Sequence, residues 1–198
     1  MQKNIETYQL LEKEIQTCTK CRLSSFRTNA LAGTGSIFKK IVIIGEAPGK
    51  EEDLKQKAFI GVAGKILDEM LNEANLRRED VYITNIVKCR PPKNRDPQPD
   101  EIKTCQSYLI RQLKLIKPKI ILSLGRIAGN SLFSLIKKPF STISKMHGNI
   151  TAFTSSYGPV KIICMYHPAM GLYGENNKKI LIDDMKKHKQ LLQNFISS

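Results

Sequence analysis

Two short runs, Ile41-Val42-Ile43-Ile44 and Ile120-Ile121-Leu122-Ser123-Leu124, are almost wholly apolar, and each is closed by a glycine, Gly45 and Gly125. A strand without a polar face is stable only inside a sheet covered on both sides, as in a parallel sheet flanked by helices. Val81 to Val87 reads as another such strand, and Val160 to Met165 as a fourth. Helical spacing fills the intervals: Ile66, Leu67, Met70, Leu71 and Ala74 over Gly64 to Leu76, then about Asp100 to Ile116, then Ile127 to Ile136. An amphipathic helix with Ile5, Tyr8, Leu11 and Ile15 opens the chain, and one from about Lys178 to Phe195 closes it, burying Ile180, Leu181, Met185, Leu191 and Leu192. This alternation predicts an α/β fold, a three-layer α/β/α sandwich around a central, mainly parallel four-stranded sheet. The 198 residues fit a single domain, 1–198.

Ligands of such sheets bind beyond the carboxyl ends of the strands. Gly45-Glu46, Asn85, Gly125 and His167 all fall at predicted strand ends and should converge. The loop Gly45-Glu46-Ala47-Pro48-Gly49 lets a backbone approach a ligand closely, but it lacks the G-x-G-x-x-G spacing of a dinucleotide site. Glu46, Glu51, Glu52 and Asp53 crowd this loop, either as a site of carboxylate chemistry or as an acidic first turn favoured by a helix dipole. His167-Pro168 offers an imidazole on a rigid turn, suited to hydrogen bonding a developing anion. Phe59 reads as a core residue or a stacking platform.

Five cysteines, without an export signal, argue against a disulfide framework. Cys18 and Cys21 form C-x-x-C, Cys89 and Cys105 lie 16 positions apart downstream, and Cys164 stands alone in an apolar run. Four thiolates suit a soft metal, and spacing leaves zinc, an iron-sulfur cluster and plain burial open. The net charge of +14 attracts phosphate polymers or anionic membranes, unless the lysines merely form a solvated face. No run approaches the ~18 apolar residues of a membrane span, and Lys3, Glu6, Glu12, Lys13 and Glu14 interrupt any secretory core. The expectation is a soluble, cytoplasmic protein.

Several of these motifs together resemble the family 4 uracil-DNA glycosylases, the iron-sulfur members of their superfamily, over nearly the whole chain. They are the C-x-x-C pair, Gly45 to Gly49 with Glu52-Asp53, Phe59-Ile60-Gly61 with Ala63-Gly64, Tyr82 to Arg90 running on through Pro91-Pro92, Asn94-Arg95 and Cys105, and His167-Pro168-Ala169. The resemblance implies a 4Fe-4S cluster on Cys18, Cys21, Cys89 and Cys105, held in part by an N-terminal segment of about residues 1–35, with no role for Cys164. It implies that uracil is flipped out of DNA and its N-glycosidic bond hydrolysed, which starts base excision repair. Phe59 would stack on the base, Asn85 would read its polar edge, and Glu46 and Ala47 would add backbone contacts. Glu46 or Asp53 would position water, His167 would steady charge at uracil O2, and Glu52 would stand near uracil C5 to exclude thymine.

The implied partner is uracil-containing DNA, single- or double-stranded, bound by a monomer working at the nucleoid and away from membranes. Val62, Met146-His147-Gly148 and Met170-Gly171-Leu172-Tyr173 depart from the family where arginines are common, which shifts DNA grip to lysines and Arg126 and leaves Leu172 or Met170 as the wedge. Two rival readings are a non-catalytic iron-sulfur module that binds DNA and a glycosylase of different base preference. Intact Glu46, Asp53, Asn85 and His167 favour the enzyme.

Overall fold

The computed structural model describes residues 2–196. Its elements in chain order are α1 (Gln2–Gln16), β1 (Thr34–Gly35), β2 (Ile41–Gly45), α2 (Lys50–Lys55), α3 (Val62–Glu73), β3 (Tyr82–Asn85), α4 (Pro99–Ile116), β4 (Ile120–Leu124), α5 (Gly125–Leu135), α6 (Ile143–Met146), β5 (Ile150–Ser155), β6 (Gly158–Met165) and α7 (Glu175–Gln193). The sheet order is β1-β3-β2-β4-β6-β5. The four predicted strands form its parallel centre. Two further strands, β1 and β5, add antiparallel edges, so the sheet has six strands rather than four.

The central strands β2, β3 and β4 are buried along their whole length, and successive side chains alternate between two covered faces, as the apolar runs require. Val42, Ile44, Ile121 and Ile162 pack with Tyr8 and Leu11 of α1, Tyr108 and Leu109 of α4, and Leu132 of α5. Ile41, Ile43, Leu122 and Ile163 pack on the other face with Leu67 and Met70 of α3 and Leu181 and Met185 of α7. This is the expected three-layer α/β/α sandwich. The closing helix presents Leu181, Met185 and Leu192 to the sheet, but Ile180 lies on its flank and is exposed. β3 ends at Asn85 rather than Val87, although Ile86 and Val87 still donate to the carbonyls of Gly45 and Glu46. Among the described residues no helix is long and apolar enough to cross a membrane.

The sheet order places β2 between β3 and β4, so the crossover from β2 to β3 and the next one, from β3 to β4, run in opposite directions and leave a crevice at the carboxyl end of β2. A buried carboxylate ties the N-terminal segment to α4. Glu101, in the first turn of α4, accepts from Arg22 Nε at 2.8 Å, from both terminal nitrogens of Arg95 at 2.7 and 2.9 Å, and from the Gln98 amide at 2.8 Å. Arg22 follows Cys21, and Cys105 lies one turn along the same helix, so this junction brings the two halves of the cysteine set together.

The Arg95 hydrogen bonds, with help from the Gln98 amide and Arg22, hold the Glu101 carboxyl down at about 2, against an ordinary 4.5. A depressed carboxyl stabilises the fold fully above its unfolded value, and that contribution disappears as pH falls through the folded one. Glu101→Gln should therefore cost about 3 kcal/mol at pH 7. Thermal unfolding should show the gap from the parent closing as pH drops from 4.5 towards 2.

Candidate active site

The crevice is a cavity of about 440 Å³ bordered by Glu46, Ala47, Glu52, Phe59, Asn85 and His167, together with Gly49, Ala63, Pro91, Arg95 and Tyr173. Four separate strand ends and loops thus deliver the expected group to one place. Gly45 is required at the floor, because a Cβ there would lie 2.5 Å from both Asn85 Oδ1 and Phe59 Cζ. Phe59 itself sits in the left-handed region at φ 52°. Its carbonyl is so close to α3 that a Cβ on Gly64 would come within 1.8 Å of it.

Arg78 clamps this turn. Its guanidinium donates to the carbonyls of Ala58 at 3.0 Å and Phe59 at 2.5 Å, and its Nε reaches Asp68 at 2.6 Å. Glu52 holds the same turn from the other side, accepting from the amides of Ile60 and Gly61 at 2.8 Å each. The Phe59 ring is thereby fixed 5.7 Å from the His167 ring, centroid to centroid.

Asp53 does not join them. It is buried, and its carboxylate accepts from the amides of Thr28 and Asn29 at 2.9 to 3.0 Å. It anchors the segment leading to β1 and does not border the cavity, which corrects the expectation that it shares the water-positioning role with Glu46. The acidic first turn is real as well, since Glu51, Glu52 and Asp53 occupy the start of α2.

Electrostatics divide the remaining groups. Burial, with repulsion from Asp96 and against attraction from Arg126, pushes the Glu46 carboxyl up to about 7. Burial pulls His167 down to about 4 despite the opposing charge of Glu52. The Ala169 amide donates to His167 Nδ1 at 3.2 Å, so at neutral pH the ring is uncharged and its proton sits on Nε2. Asn85 is buried, and its Oδ1 has no donor in the protein. An orphaned acceptor of that kind costs 1–3 kcal/mol or so unless a ligand supplies the missing hydrogen.

Across the sheet, Cys18, Cys21, Cys89 and Cys105 border one small cavity, and all are free thiols. Arg27 Nη1 donates to Cys89 Sγ at 2.9 Å, and the Lys88 amide donates to Cys105 Sγ at 3.3 Å. Cys164 is buried in β6 away from this set. Among the described residues no three His, Cys, Asp or Glu side chains form a group that could hold a single metal ion. Four sulfurs around one space, two of them receiving N–H donors, form a donor set that fits an anionic thiolate cluster.

Sequence reasoning missed Arg78, and it gave no individual role to Lys88 or to the rim residues Pro91, Arg95 and Tyr173, which it met only within longer motifs. The rim comes from the proline-rich loop and the 3₁₀ turn Pro168–Tyr173, whose positions depend on tertiary packing. On that turn Leu172 and Tyr173 are exposed, while Met170 packs against the core. Arg126 pairs with Asp96 at 2.6 Å on the surface.

A family model described as the uracil DNA glycosylase superfamily matches residues 32–191. The chain is 46% identical over 187 residues to the type-4 uracil-DNA glycosylase of Archaeoglobus fulgidus, covering 94% of each protein. It is 43% identical to the type-4 uracil-DNA glycosylase of Sulfurisphaera tokodaii, covering 94% of this chain and 86% of that one. It is 39% identical to the type-4 uracil-DNA glycosylase of Thermotoga maritima, covering 95% and 96%. With a central crevice, a matched superfamily model and relatives aligned over 94% or more of this chain, the chain belongs to the uracil-DNA glycosylase superfamily and to its type-4 family.

Proposed function

We infer that this protein is a monofunctional DNA N-glycosylase that hydrolyses the bond between uracil and deoxyribose after the nucleotide has been flipped into the crevice. The observation that carries the reading is the pairing of an orphaned acceptor with a neutral donor: Asn85 Oδ1 has no partner, and His167 offers Nε2–H in the same cavity. Uracil presents the complement, a donor at N3 and acceptors at O2 and O4. Asn85 accepts from N3–H and donates from its amide to O4, His167 donates to O2, and Phe59 stacks on the ring.

As the C1′–N1 bond breaks, its electron pair moves onto the base and is shared with O2. A neutral His167 stabilises that charge by hydrogen bonding rather than by giving up a proton. Glu46, ionised above about 7, positions water for attack at C1′ and receives its proton. Glu52, locked by two amides, is the wall facing uracil C5, where a methyl group would collide. The exposed Leu172 is better placed than Met170 to fill the vacated stack. The +14 charge supports a polyanionic partner, and single- and double-stranded DNA both meet that requirement.

Cys18, Cys21, Cys89 and Cys105 would hold the 4Fe-4S cluster that the family implies. Bound there, it supplies a cross-link between the N-terminal segment and the sheet. The reaction is routed through the crevice residues alone.

The test is the pH dependence of single-turnover excision from a uracil oligonucleotide. Excision should rise as pH increases through about 7, where Glu46 ionises, and Glu46→Gln should be slow with no such rise. A flat profile for the parent over this range would remove Glu46 from the mechanism.

A further inference from the structure

The peptide group between Phe59 and Ile60 is held at both ends. Its carbonyl accepts from Arg78 Nη2 at 2.5 Å, and its amide donates to Glu52 Oε1 at 2.8 Å. A peptide group is planar and rigid, so the two contacts fix one orientation between them. A bulky side chain does not favour that orientation by itself, because Phe59 sits at φ 52°. A backbone of this kind persists only where its surroundings over-determine it.

Arg78 supplies the constraint on the carbonyl side. Its Nη1 donates to the Ala58 carbonyl at 3.0 Å, its Nη2 reaches the Gly64 carbonyl at 3.3 Å as well, and its Nε donates to Asp68 Oδ1 at 2.6 Å. The planar fork thus joins the Phe59 turn to two levels of α3, a span that the point charge of a lysine does not reproduce. Arg78 does not border the crevice, so it touches no reacting atom.

Glu52 does border the crevice, and among the described residues it has no other hydrogen bond or ion pair than those from the turn. The amides of Ile60 and Gly61 both reach Oε1, while Oε2 lies over Gly49, where a Cβ would come within 2.6 Å of it. One of the two anchors of this carboxylate is therefore the far end of the very peptide whose carbonyl Arg78 grips.

We propose that Arg78 is the positioning residue for base selectivity: by fixing the Phe59–Ile60 peptide it sets where the Glu52 carboxylate stands against uracil C5. The inference rests on the glycosylase reading above, in which Glu52 excludes a methyl group at that atom. Without the guanidinium the peptide is free to turn over, the Ile60 amide leaves Glu52, and the wall gives way.

The experiment measures single-turnover excision from oligonucleotides carrying uracil, 5-bromouracil or thymine at one position, with DNA affinity and thermal unfolding followed alongside. It compares the parent with Arg78→Met, Arg78→Lys and Asp68→Asn. Bromine is close to a methyl group in size and makes the base a better leaving group, so 5-bromouracil reports the fit at C5 with measurable rates. The preference of Arg78→Met for uracil over 5-bromouracil should fall roughly tenfold or more, the lower end of what one methyl-sized group is worth in a pocket. Its DNA affinity should match the parent's. Arg78→Lys should fall between the two, and Asp68→Asn should shift the preference in the same direction by a smaller factor. Loss of uracil and 5-bromouracil excision by the same factor would overturn the proposal, since a merely loosened fold does that, and so would failure of all three variants to fold. A parent that excises no uracil would instead overturn the glycosylase reading, and one that takes thymine as readily as uracil would remove Glu52 from C5.

Discussion

Asn85→Asp should lower single-turnover uracil excision by about 10²-fold, the upper end of the effect of facing a buried acceptor with another acceptor. The parent amide presents Oδ1 to uracil N3–H and its nitrogen to O4. Aspartate keeps the first contact and replaces the second with repulsion. Cytosine has an amino group at that position that can donate to the new oxygen, but its unprotonated N3 offers no hydrogen to the other one, so the variant gains at most a trace of cytosine excision. The side chain has room for nothing larger, since it already crosses Gly45 closely enough to forbid a Cβ there. Matched uracil and cytosine oligonucleotides give the comparison, and a variant with parental uracil rates would rule Asn85 out as the reader.

His167→Ala should slow excision by roughly 10²- to 10³-fold, the loss expected on removing one preorganised donor to a developing anion. Affinity for DNA should change little, because the lost contact strengthens in the transition state and the ring is uncharged at neutral pH. Burial keeps His167 neutral above about 4, so its titration should leave no limb in the rate profile between pH 5 and 9 or so. Gly125 has φ +87°, and a Cβ there would meet His167 Cβ at 3.0 Å, so the strand end is shaped around this side chain. Excision by His167→Ala at the parental rate would remove the imidazole from the mechanism.

The parallel centre of the sheet was legible because Ile41 to Ile44 and Ile120 to Leu124 have no polar face, and only a doubly covered strand tolerates that. The edges were not. Thr34-Gly35 is too short to show a period, and Ile150 to Ser155 alternates between exposed and half-buried positions, so neither stands out as an apolar run. Glu46, Asn85 and His167 were legible from strand ends alone, since topology rather than detail brings such ends together. Asp53 was misplaced for the opposite reason. It and Glu52 are adjacent carboxylates in one helical turn, and which of them faces the crevice depends on where Thr28 and Asn29 lie, far away in sequence. Arg78 was hidden likewise, because the carbonyls it holds belong to Ala58 and Phe59, some twenty residues earlier, and Lys88 because its burial depends on Gln112 of α4 as well as on its near neighbours Thr84 and Asn85.

The most direct measurement incubates the purified protein with a uracil-containing oligonucleotide and with its thymine counterpart, then cleaves abasic sites with alkali. Strand cleavage confined to the uracil position, and absent from the thymine oligonucleotide, is the expected result. Tight binding of the uracil strand with no alkali-labile site would contradict the account and leave a protein that holds DNA without hydrolysing it.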